Sequence, residues 1–204
     1  MEQIMRKVGK KQAIKLEYEI LKKLNQKESK DQKQRILFPK VLSYEEKEVT
    51  AAIEMEYIKG STLNEVGFAP KHMWLWWMQE VARGLSILHG LRPAVIWCDC
   101  KPENLMIDKN NRIYLIDFDC ACYVKQEMPR QSYGTRMYAS PEQKEGRVLD
   151  ERADIYGFGS TFLKMPLPFS CFRIKRILKK CVAYDKEERF QTASELLYEL
   201  RKVD

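Results

Sequence analysis

Four residues in the middle of the chain, Asp99, Lys101, Asn104 and Asp117, have the types and spacing needed for phosphoryl transfer. The lysine lies two residues after Asp99, the asparagine five residues after it, and Asp117 thirteen residues beyond the asparagine. One carboxylate can orient an attacking hydroxyl, while the amide and the second carboxylate can hold divalent cations. The lysine can neutralise charge on the transferring group. This set indicates transfer from a metal–nucleotide complex to a hydroxyl.

The elements that must position these residues are short strands and one long helix. Strand-like runs cover 94–97, 105–107 and 113–116, with a turn at Asn110-Asn111 between the last two. Upstream, residues 70–89 carry apolar side chains at intervals of three and four, which predicts a helix with one buried face. Tryptophans in this stripe are interpreted as core residues.

The rest of the chain predicts more helices and two further strands. A helix is predicted over 12–25, a polar loop over 25–35, and strands over 37–42 and 49–57. Lys59-Gly60-Ser61 is expected to be a connector. Near the C-terminus, Thr192 and Glu195 form a capping box that opens a helix over 196–200.

Composition argues against several function classes. The 204 residues are 45% hydrophobic, which is enough to form a hydrophobic core. Their formal net charge is +7. Basic residues are scattered, and the densest group, at 173–180, is interpreted as a solvated helix face. Signatures of nucleic-acid binding are absent, so no nucleic-acid partner is expected. No segment is long and apolar enough for a membrane span, and the N-terminus lacks a signal-peptide pattern, so a cytoplasmic protein is expected.

Four of the six cysteines form two C-x-C pairs beside the candidate aspartates: Cys98 with Cys100, and Cys120 with Cys122. Structural zinc sites usually have two to four residues between paired cysteines, so these pairs do not fit that pattern. The favoured interpretation is reduced thiols acting as small buried residues, with zinc binding as the alternative.

Further motifs accompany the four residues in a fixed order. They are Met55-Glu56-Tyr57-Ile58-Lys59-Gly60, Asp99-x-Lys101-Pro102-x-Asn104, Asp117-Phe118-Asp119, Gly134-Thr135, Ser140-Pro141-Glu142, Asp154-Ile155-Tyr156-Gly157-Phe158-Gly159 and a late Arg189. This order resembles the hinge, catalytic loop, D-F-G motif, activation-segment end and D-x-Y-x-x-G helix of eukaryotic-like Ser/Thr protein kinases, a family widespread in Gram-positive bacteria. An ordered series is highly specific, whereas any one motif alone is weak.

The resemblance implies an α+β, protein-kinase-like fold with a truncated small N-terminal lobe and a mainly helical C-terminal lobe. The smaller lobe would comprise residues 1–58, with the family's helix C and two strands, and the larger lobe residues 59–204. Asp154, Glu142 and Arg189 would brace the larger lobe without taking part in the chemistry. His89 is likewise expected to be a packing residue.

The resemblance also implies a role for each matched residue, with ATP and Mg²⁺ as cofactors and a Ser/Thr-containing protein as substrate. Asp99 would orient the hydroxyl and Lys101 would approach the phosphate, while Thr135 would contact both. Asn104 and Asp117 would bind the metal ions. The implied nucleotide-binding residues are Glu17 as the helix glutamate (preferred over Glu19), Met55 as gatekeeper, Glu56 and Ile58 as backbone contacts to adenine, and Met106 beneath it.

Several departures from the family pattern affect the expected activity. No G-x-G-x-x-G is present, and the strand lysine that pairs with Glu17 is expected at or before Met1. Four lysines, at positions 7, 10, 11 and 15, are judged too close to the helix to substitute for it. Cys98 replaces an arginine, and Asp119 replaces a glycine, which is expected to restrict the backbone. The region between 162 and 171 is short, so a reduced substrate-docking region is expected.

The sequence therefore predicts a Ser/Thr protein kinase that uses ATP and Mg²⁺. The alternative is a catalytically impaired pseudokinase, or a truncated fragment, acting as a binding module. Small-molecule kinases that phosphorylate antibiotics or choline share the two aspartates and the asparagine. They lack the later motifs and are less favoured.

Overall fold

The computed structural model describes residues 3–30, 37–124, 134–168 and 170–203. Within these ranges the strands are β1 (Ile4–Lys10), β2 (Val41–Glu46), β3 (Thr50–Glu56), β4 (Gly60–Thr62), β5 (Val95–Ile96), β6 (Leu105–Asp108), β7 (Ile113–Leu115) and β8 (Cys122–Tyr123). The helices are α1 (Lys11–Lys30), α2 (Lys71–His89), α3 (Pro141–Lys144), α4 (Arg152–Leu163), α5 (Phe172–Cys181) and α6 (Ala193–Arg201). The predicted mixed α+β class, with an N-terminal sheet and a helical C-terminal part, is confirmed.

The N-terminal part is an antiparallel sheet of order β1-β3-β2 with α1 packed on it. Helix α1 follows β1 without a loop, and the backbone N–H of Lys11 donates to Val49 O at 3.0 Å. Apolar residues of α1 recur at helical spacing and are fully buried, among them Ile20, Leu21 and Leu24. This burial fixes the helix, and with it Glu17, against the sheet.

Helix α2 is the centre of the C-terminal part and packs against α6, α4 and β7. Its apolar stripe is buried as predicted, with Trp74 and Trp77 in edge-to-face contact at 5.4 Å between ring centroids. Helix α6 begins at the predicted cap, where Thr192 Oγ1 accepts a hydrogen bond from Glu195 N at 3.1 Å. Helix α5 carries the basic group at 173–180, with Arg173, Arg176, Lys179 and Lys180 exposed.

Two small sheets position the central motifs. Strands β4, β6 and β7 form one antiparallel sheet, and β5 pairs with β8 in another. Asp99 follows three residues after the end of β5, and Asp117 two residues after the end of β7. Both strand ends are buried, so the aspartates emerge from fixed supports.

The structure corrects several predicted elements. Helix α1 continues to Lys30, into the predicted loop at 25–35, of which residues 31–36 lie outside the described ranges. The strand predicted at 37–42 begins only at Val41; Leu37 and Phe38 are buried in irregular backbone, and Leu37 O accepts from Leu115 N. The predicted connector at 59–61 instead contributes to β4, and β1 was not predicted.

None of the helices in the described ranges has both the length and the apolar character required to cross a bilayer. The region predicted to be short contains residue 169, which lies outside the described ranges; α4 ends at Leu163 and α5 begins at Phe172. The division of the chain at residue 58 remains a prediction.

Candidate active site

The four predicted catalytic residues form one hydrogen-bonded cluster around the carboxylate of Asp99, which is 6% exposed. Its Oδ1 accepts from the backbone N–H of Thr135 at 2.7 Å. Its Oδ2 accepts from Asn104 Nδ2 at 3.0 Å and lies 2.8 Å from Lys101 Nζ. Lys101 Nζ also donates to Thr135 Oγ1 at 3.0 Å. Both carboxylate oxygens are therefore held in position.

Lys101 is a charged group held beside this carboxylate. Burial opposes its charge, but the hydrogen bond to Asp99 together with attraction to nearby carboxylates outweighs burial and raises the pKa of Lys101 above its ordinary value of 10.5. The lysine therefore remains an ammonium at neutral pH. Its positive charge therefore lies directly beside the acceptor oxygens of the Asp99 carboxylate.

The backbone that carries Asp99 is held by Asp154 from α4. Asp154 Oδ2 accepts from Trp97 N and Oδ1 from Cys98 N, both at 2.8 Å. Cys98 adopts a left-handed conformation with φ of 66°, and its carbonyl accepts from Gln143 Nε2 at 2.8 Å. The predicted bracing role of Asp154 thus has a specific geometry, in which a buried carboxylate fixes the turn before Asp99. His89 Nε2 lies 2.9 Å from the same carboxylate.

Asp117 occupies a second fixed turn. It has a φ of 63°, and its carbonyl accepts from Trp97 Nε1 at 2.8 Å. The ring of Phe118 packs 6.0 Å from that of Trp97, and its backbone N–H donates to Glu17 Oε1 at 3.1 Å. The expectation that Asp119 restricts the backbone remains a prediction; among the described non-glycine residues, positive φ occurs at Cys98, Asn111 and Asp117. The residue that replaces glycine therefore lies in ordinary backbone.

Lys7 is the most important correction to the sequence-based prediction. Its Nζ lies 2.9 Å from Glu17 Oε2, 2.7 Å from Asp117 Oδ1 and 2.9 Å from Asp119 Oδ1. The prediction that the strand lysine falls at or before Met1, and that Lys7 is too close to the helix, is wrong. Glu17 is confirmed over Glu19 as the glutamate that pairs with a strand lysine.

The physical reason lies in the tight connection between β1 and α1. Lys7 precedes the helix by four residues, roughly 13 Å along a strand, and Glu17 lies six residues into it, roughly 9 Å along the axis. Since α1 follows β1 without a loop, these two lengths differ by only about 4 Å, and the long side chains of Lys7 and Glu17 span the difference. A separation of ten residues is therefore sufficient.

The charge state of Lys7 follows from its surroundings. Burial opposes its charge, but attraction to Glu17 and the contacts with Asp117 and Asp119 outweigh burial, so the pKa of Lys7 is raised above its ordinary value of 10.5. Burial also opposes the charge of Glu17, which raises the pKa of that carboxyl group, and the attraction of Lys7 counters this rise. Lys7 is therefore a permanently charged group beside Asp117.

A cavity of about 210 Å³ lies between the N-terminal sheet and the central motifs. Its lining includes every predicted nucleotide-binding residue and both predicted metal ligands: Glu17, Met55, Glu56, Ile58, Met106, Asn104 and Asp117. Asn104 belongs both to this lining and to the Asp99 cluster, so the cavity and the catalytic cluster are contiguous. Asp99, Lys101 and Thr135 lie beyond the lining.

The sequence-based prediction also missed several lining residues. Met5 and Lys7 line the cavity from β1, where residues two apart share one face, and Met5 is paired in register with Met55. Pro39, Tyr57 and Ile116 complete the lining. The available signal was the alternation in Met5-Arg6-Lys7, in which Arg6 instead pairs with Glu45 and Glu54 on the other face.

The residues present fit a nucleotide with a divalent cation. Met5, Met55 and Met106 offer apolar surface suited to a flat ring, with the ammonium of Lys7 in the same cavity. Asn104 donates both to Asp99 O and to its Oδ2 through Nδ2, an arrangement that fixes the amide plane and leaves the amide oxygen as its ligand atom. Asp117 adds a carboxylate, and such oxygen donors suit Mg²⁺.

Three of the four cysteines near the site are buried thiols, and Cys120 is half-buried. Cys98 Sγ and Cys122 Sγ lie 3.7 Å apart, and Cys100 is also buried. The contact with Cys122, together with burial, raises the pKa of Cys98, and burial raises that of Cys100. Within the described ranges, the group of side chains close enough to share a metal ion consists of Glu17, Asp117 and Asp119 and contains no cysteine.

Comparison with known proteins identifies the family. The model of the protein kinase domain matches residues 2–194 of this chain. The Ser/Thr protein kinase PknB of Mycobacterium leprae is 26% identical over 188 residues, covering 74% of this chain and 30% of that protein. The Ser/Thr protein kinase pkn2 of Myxococcus xanthus is 35% identical over 121 residues, covering 53% of this chain and 14% of that protein.

A third bacterial relative, Ser/Thr protein kinase PknA of Corynebacterium glutamicum, is 32% identical over 114 residues, covering 52% of this chain and 24% of that protein. The chain thus spans less than a third of the length of these relatives. The family match, by contrast, covers nearly the whole of this sequence and includes the cavity and the Asp99 cluster. The chain therefore belongs to the protein kinase family, and its relatives include bacterial Ser/Thr kinases of the eukaryotic-like type.

Proposed function

We propose that this chain binds ATP with Mg²⁺ and transfers the terminal phosphoryl group to a serine or threonine hydroxyl of a protein. The observation that carries the proposal is the position of Lys7, whose Nζ lies within 2.9 Å of Glu17 and 2.7 Å of Asp117. A lysine paired with a helix glutamate beside a metal-binding aspartate is the arrangement that protein kinases require for phosphate positioning.

In this proposal the cavity holds the nucleotide. The base lies between Met5 and Met106, and the backbone groups of Glu56 and Ile58 on the segment after β3 provide its polar contacts. Met55 limits the depth of the cavity. Lys7 then binds phosphate oxygens at the end of the cavity where Asp117 lies.

Asn104 and Asp117 would hold the divalent cation, which neutralises charge on the phosphates. The chain contributes the geometry of these ligands. The amide of Asn104 is oriented by its two donations to Asp99, and the turn at Asp117 is fixed by Trp97. Neither ligand needs to reorganise its backbone on binding.

Asp99 would act on the substrate hydroxyl. Its carboxylate would accept the hydroxyl proton as the hydroxyl oxygen bonds to the terminal phosphorus of ATP. The bond from that phosphorus to the bridging oxygen breaks at the same time, ADP leaves, and Lys101 would stabilise the negative charge on the transferring group. Thr135 holds both groups, through its backbone N–H and its Oγ1. A serine or threonine side chain is the proposed acceptor because the relatives are Ser/Thr kinases.

The second candidate is a nucleotide-binding module without turnover. It is favoured by the contact between Asp119 and Lys7, which draws the ammonium towards a carboxylate that the usual D-F-G motif lacks. The two candidates agree on the cavity and differ in whether Asp99 is used.

The test is phosphoryl transfer from radiolabelled ATP with Mg²⁺ to a generic protein substrate, together with calorimetric binding of Mg-ADP. Asp99→Asn is expected to reduce transfer by roughly 100-fold or more while retaining ADP binding. Glu103→Gln, an exposed carboxylate in the same loop, is the matched control and is expected to retain transfer. Equal transfer by wild type and Asp99→Asn would refute the kinase proposal. ADP binding without transfer would favour the binding module.

A further inference from the structure

Lys7 is surrounded by as many carboxylates as it has N–H donors. An ammonium carries three donors, and oxygens of Glu17, Asp117 and Asp119 lie 2.7–2.9 Å from Nζ. A phosphate oxygen that approaches Lys7 therefore meets an ammonium whose donors already have acceptors. Binding of phosphate requires at least one carboxylate to move away.

The three carboxylates differ in their freedom to move. Glu17 is 1% exposed, and its Oε1 also accepts from Phe118 N, so it is held on two sides. Asp117 lies in a strained turn fixed through its carbonyl by Trp97. The side chain of Asp117 is 39% exposed, and its Oδ1 also accepts from the backbone N–H of Asp119 at 3.3 Å. The side chain of Asp119 is 43% exposed. Since it has ordinary backbone and faces solvent, it can rotate away at the lowest free-energy cost.

We propose that Asp119 is a positioning residue that sets the affinity for nucleotide by competing with a phosphate group for Lys7. In the nucleotide-free state its carboxylate pairs with the ammonium of Lys7, in the place that a phosphate oxygen would take. On binding, phosphate displaces it into solvent. This inference rests on the proposed function only in taking the cavity to bind a nucleotide phosphate, not in requiring transfer.

The net charge around Lys7 also opposes the binding of nucleotide phosphate. Three carboxylates and one ammonium leave net negative charge at the end of the cavity where Lys7 lies, and this charge opposes an anionic ligand. Removing the carboxylate of Asp119 relieves both the repulsion and the competition. A matched control must separate these two effects.

The experiment measures the affinity for ADP by calorimetry, once with EDTA and once with Mg²⁺, in wild type, Asp119→Asn and Asp119→Gly. Both variants are expected to bind ADP about two- to fivefold more tightly than wild type, because an exposed ion pair is weak and its competition modest. In kinetic assays the KM for ATP falls by the same factor, while kcat stays unchanged. A purely structural role for Asp119 would not produce this split.

Two controls isolate the competition for Lys7. Glu103→Gln removes the same charge near Lys101 and leaves the surroundings of Lys7 intact, so its effect on ADP affinity is expected to be smaller. In a Lys7→Met background, Asp119→Asn is expected to lose its effect. An equal gain in affinity with and without Lys7 would overturn the inference, because it would show general electrostatics alone.

The remaining outcomes are also decisive. Weaker binding of Mg-ADP by Asp119→Asn would overturn the inference and identify Asp119 as a cation ligand. ADP binding by wild type without phosphoryl transfer would refute the kinase proposal and leave this inference open to confirmation by the affinities. If neither wild type nor variants bind ADP, both proposals fail.

Discussion

Arg189 and Glu142 form a two-point ion pair shielded from water, with Nη1–Oε1 at 2.7 Å and Nη2–Oε2 at 2.9 Å. Their side chains are 0% and 4% exposed. The pair joins α3 to the segment before α6, and the adjacent Gln143 of α3 binds the carbonyl of Cys98. The support of the loop that carries Asp99 thus extends through α3 to Arg189, which lies 47 positions after its partner Glu142.

Replacing Arg189 with methionine is expected to lower the free energy of unfolding by about 3–5 kcal/mol, because Glu142 is left as an unpaired buried charge. Urea denaturation followed by circular dichroism measures the change. Arg201→Met, at an exposed position on α6, serves as the control and should stay within roughly 0.5 kcal/mol of wild type. A loss of similar size in both variants would contradict the assigned role of the pair.

The same pair predicts a pH dependence of stability. Burial opposes ionisation of Glu142, but the hydrogen bonds and charge of Arg189, together with further hydrogen bonds within α3 and its cap, outweigh burial and lower the pKa of Glu142 below its ordinary value of 4.5. A lowered pKa in the folded state means that the stabilisation is fully present above pH 4.5 and is lost as the pH falls through the folded-state value. The stability difference between wild type and Glu142→Gln should therefore shrink as the pH falls below about 4.5. Urea titrations at pH 7 and pH 3.5 test this, and a difference that grows in acid would exclude it.

Gly134→Ala is expected to slow phosphoryl transfer by roughly 10-fold or more while leaving ADP affinity unchanged. Gly134 has a φ of 83°, and an added Cβ would collide with the carbonyl oxygen of Cys98. That collision displaces the backbone N–H of Thr135 from Asp99. Transfer assays and ADP calorimetry measure the two effects separately.

Gly146→Ala is a close control for this substitution. Gly146 also has a positive φ, 65°, but no atom lies within 4 Å of its added Cβ. It should show the conformational cost of about 1 kcal/mol in stability without loss of transfer. Equal transfer by the two alanine variants would show that the close approach to Cys98 is unimportant.

Lys7→Met is expected to weaken ADP binding and to reduce transfer by roughly 100-fold, because phosphate loses its cationic partner. Lys10→Met changes the same residue type on the same strand, but Lys10 is exposed at the end of β1. That variant should behave as wild type in both assays. Retained transfer in Lys7→Met would show that the lysine has only a structural role.

Sequence reasoning located the parts of the site that lie close together along the chain. Asp99, Lys101 and Asn104 lie within six residues, so a motif reveals them before any contact is known. Helix α2 was equally predictable from the sequence, because a long stripe of apolar residues at intervals of three and four indicates a helix with one buried face. Thr135 was identified through the resemblance, which implies that its hydroxyl contacts both Asp99 and Lys101. The hydroxyl accepts from Lys101 as expected, whereas Asp99 accepts from the backbone N–H of Thr135.

Lys7 could not be recognised by the same reasoning, because its meaning depends on two partners more than 100 residues away and on a turn without a loop. Its strand is rich in charge and its burial pattern is mostly exposed, so the local signal for β1 is weak. The left-handed conformation in the turn of the Asp117-Phe118-Asp119 motif was not predicted for a related reason. The left-handed residue of that turn is Asp117, which a sequence pattern does not distinguish from its neighbours.

Trp97 is placed so that its fluorescence can report on the candidate active site. The other three tryptophans all lie on α2, whereas the indole of Trp97 is fully buried, donates to the carbonyl of Asp117 and packs beside Phe118. Its emission therefore depends on the turn that carries the carboxylate of Asp117. With the α2 tryptophans replaced by phenylalanine, the intrinsic fluorescence of the protein comes from Trp97 alone, and a change in it on nucleotide binding reports movement of that turn.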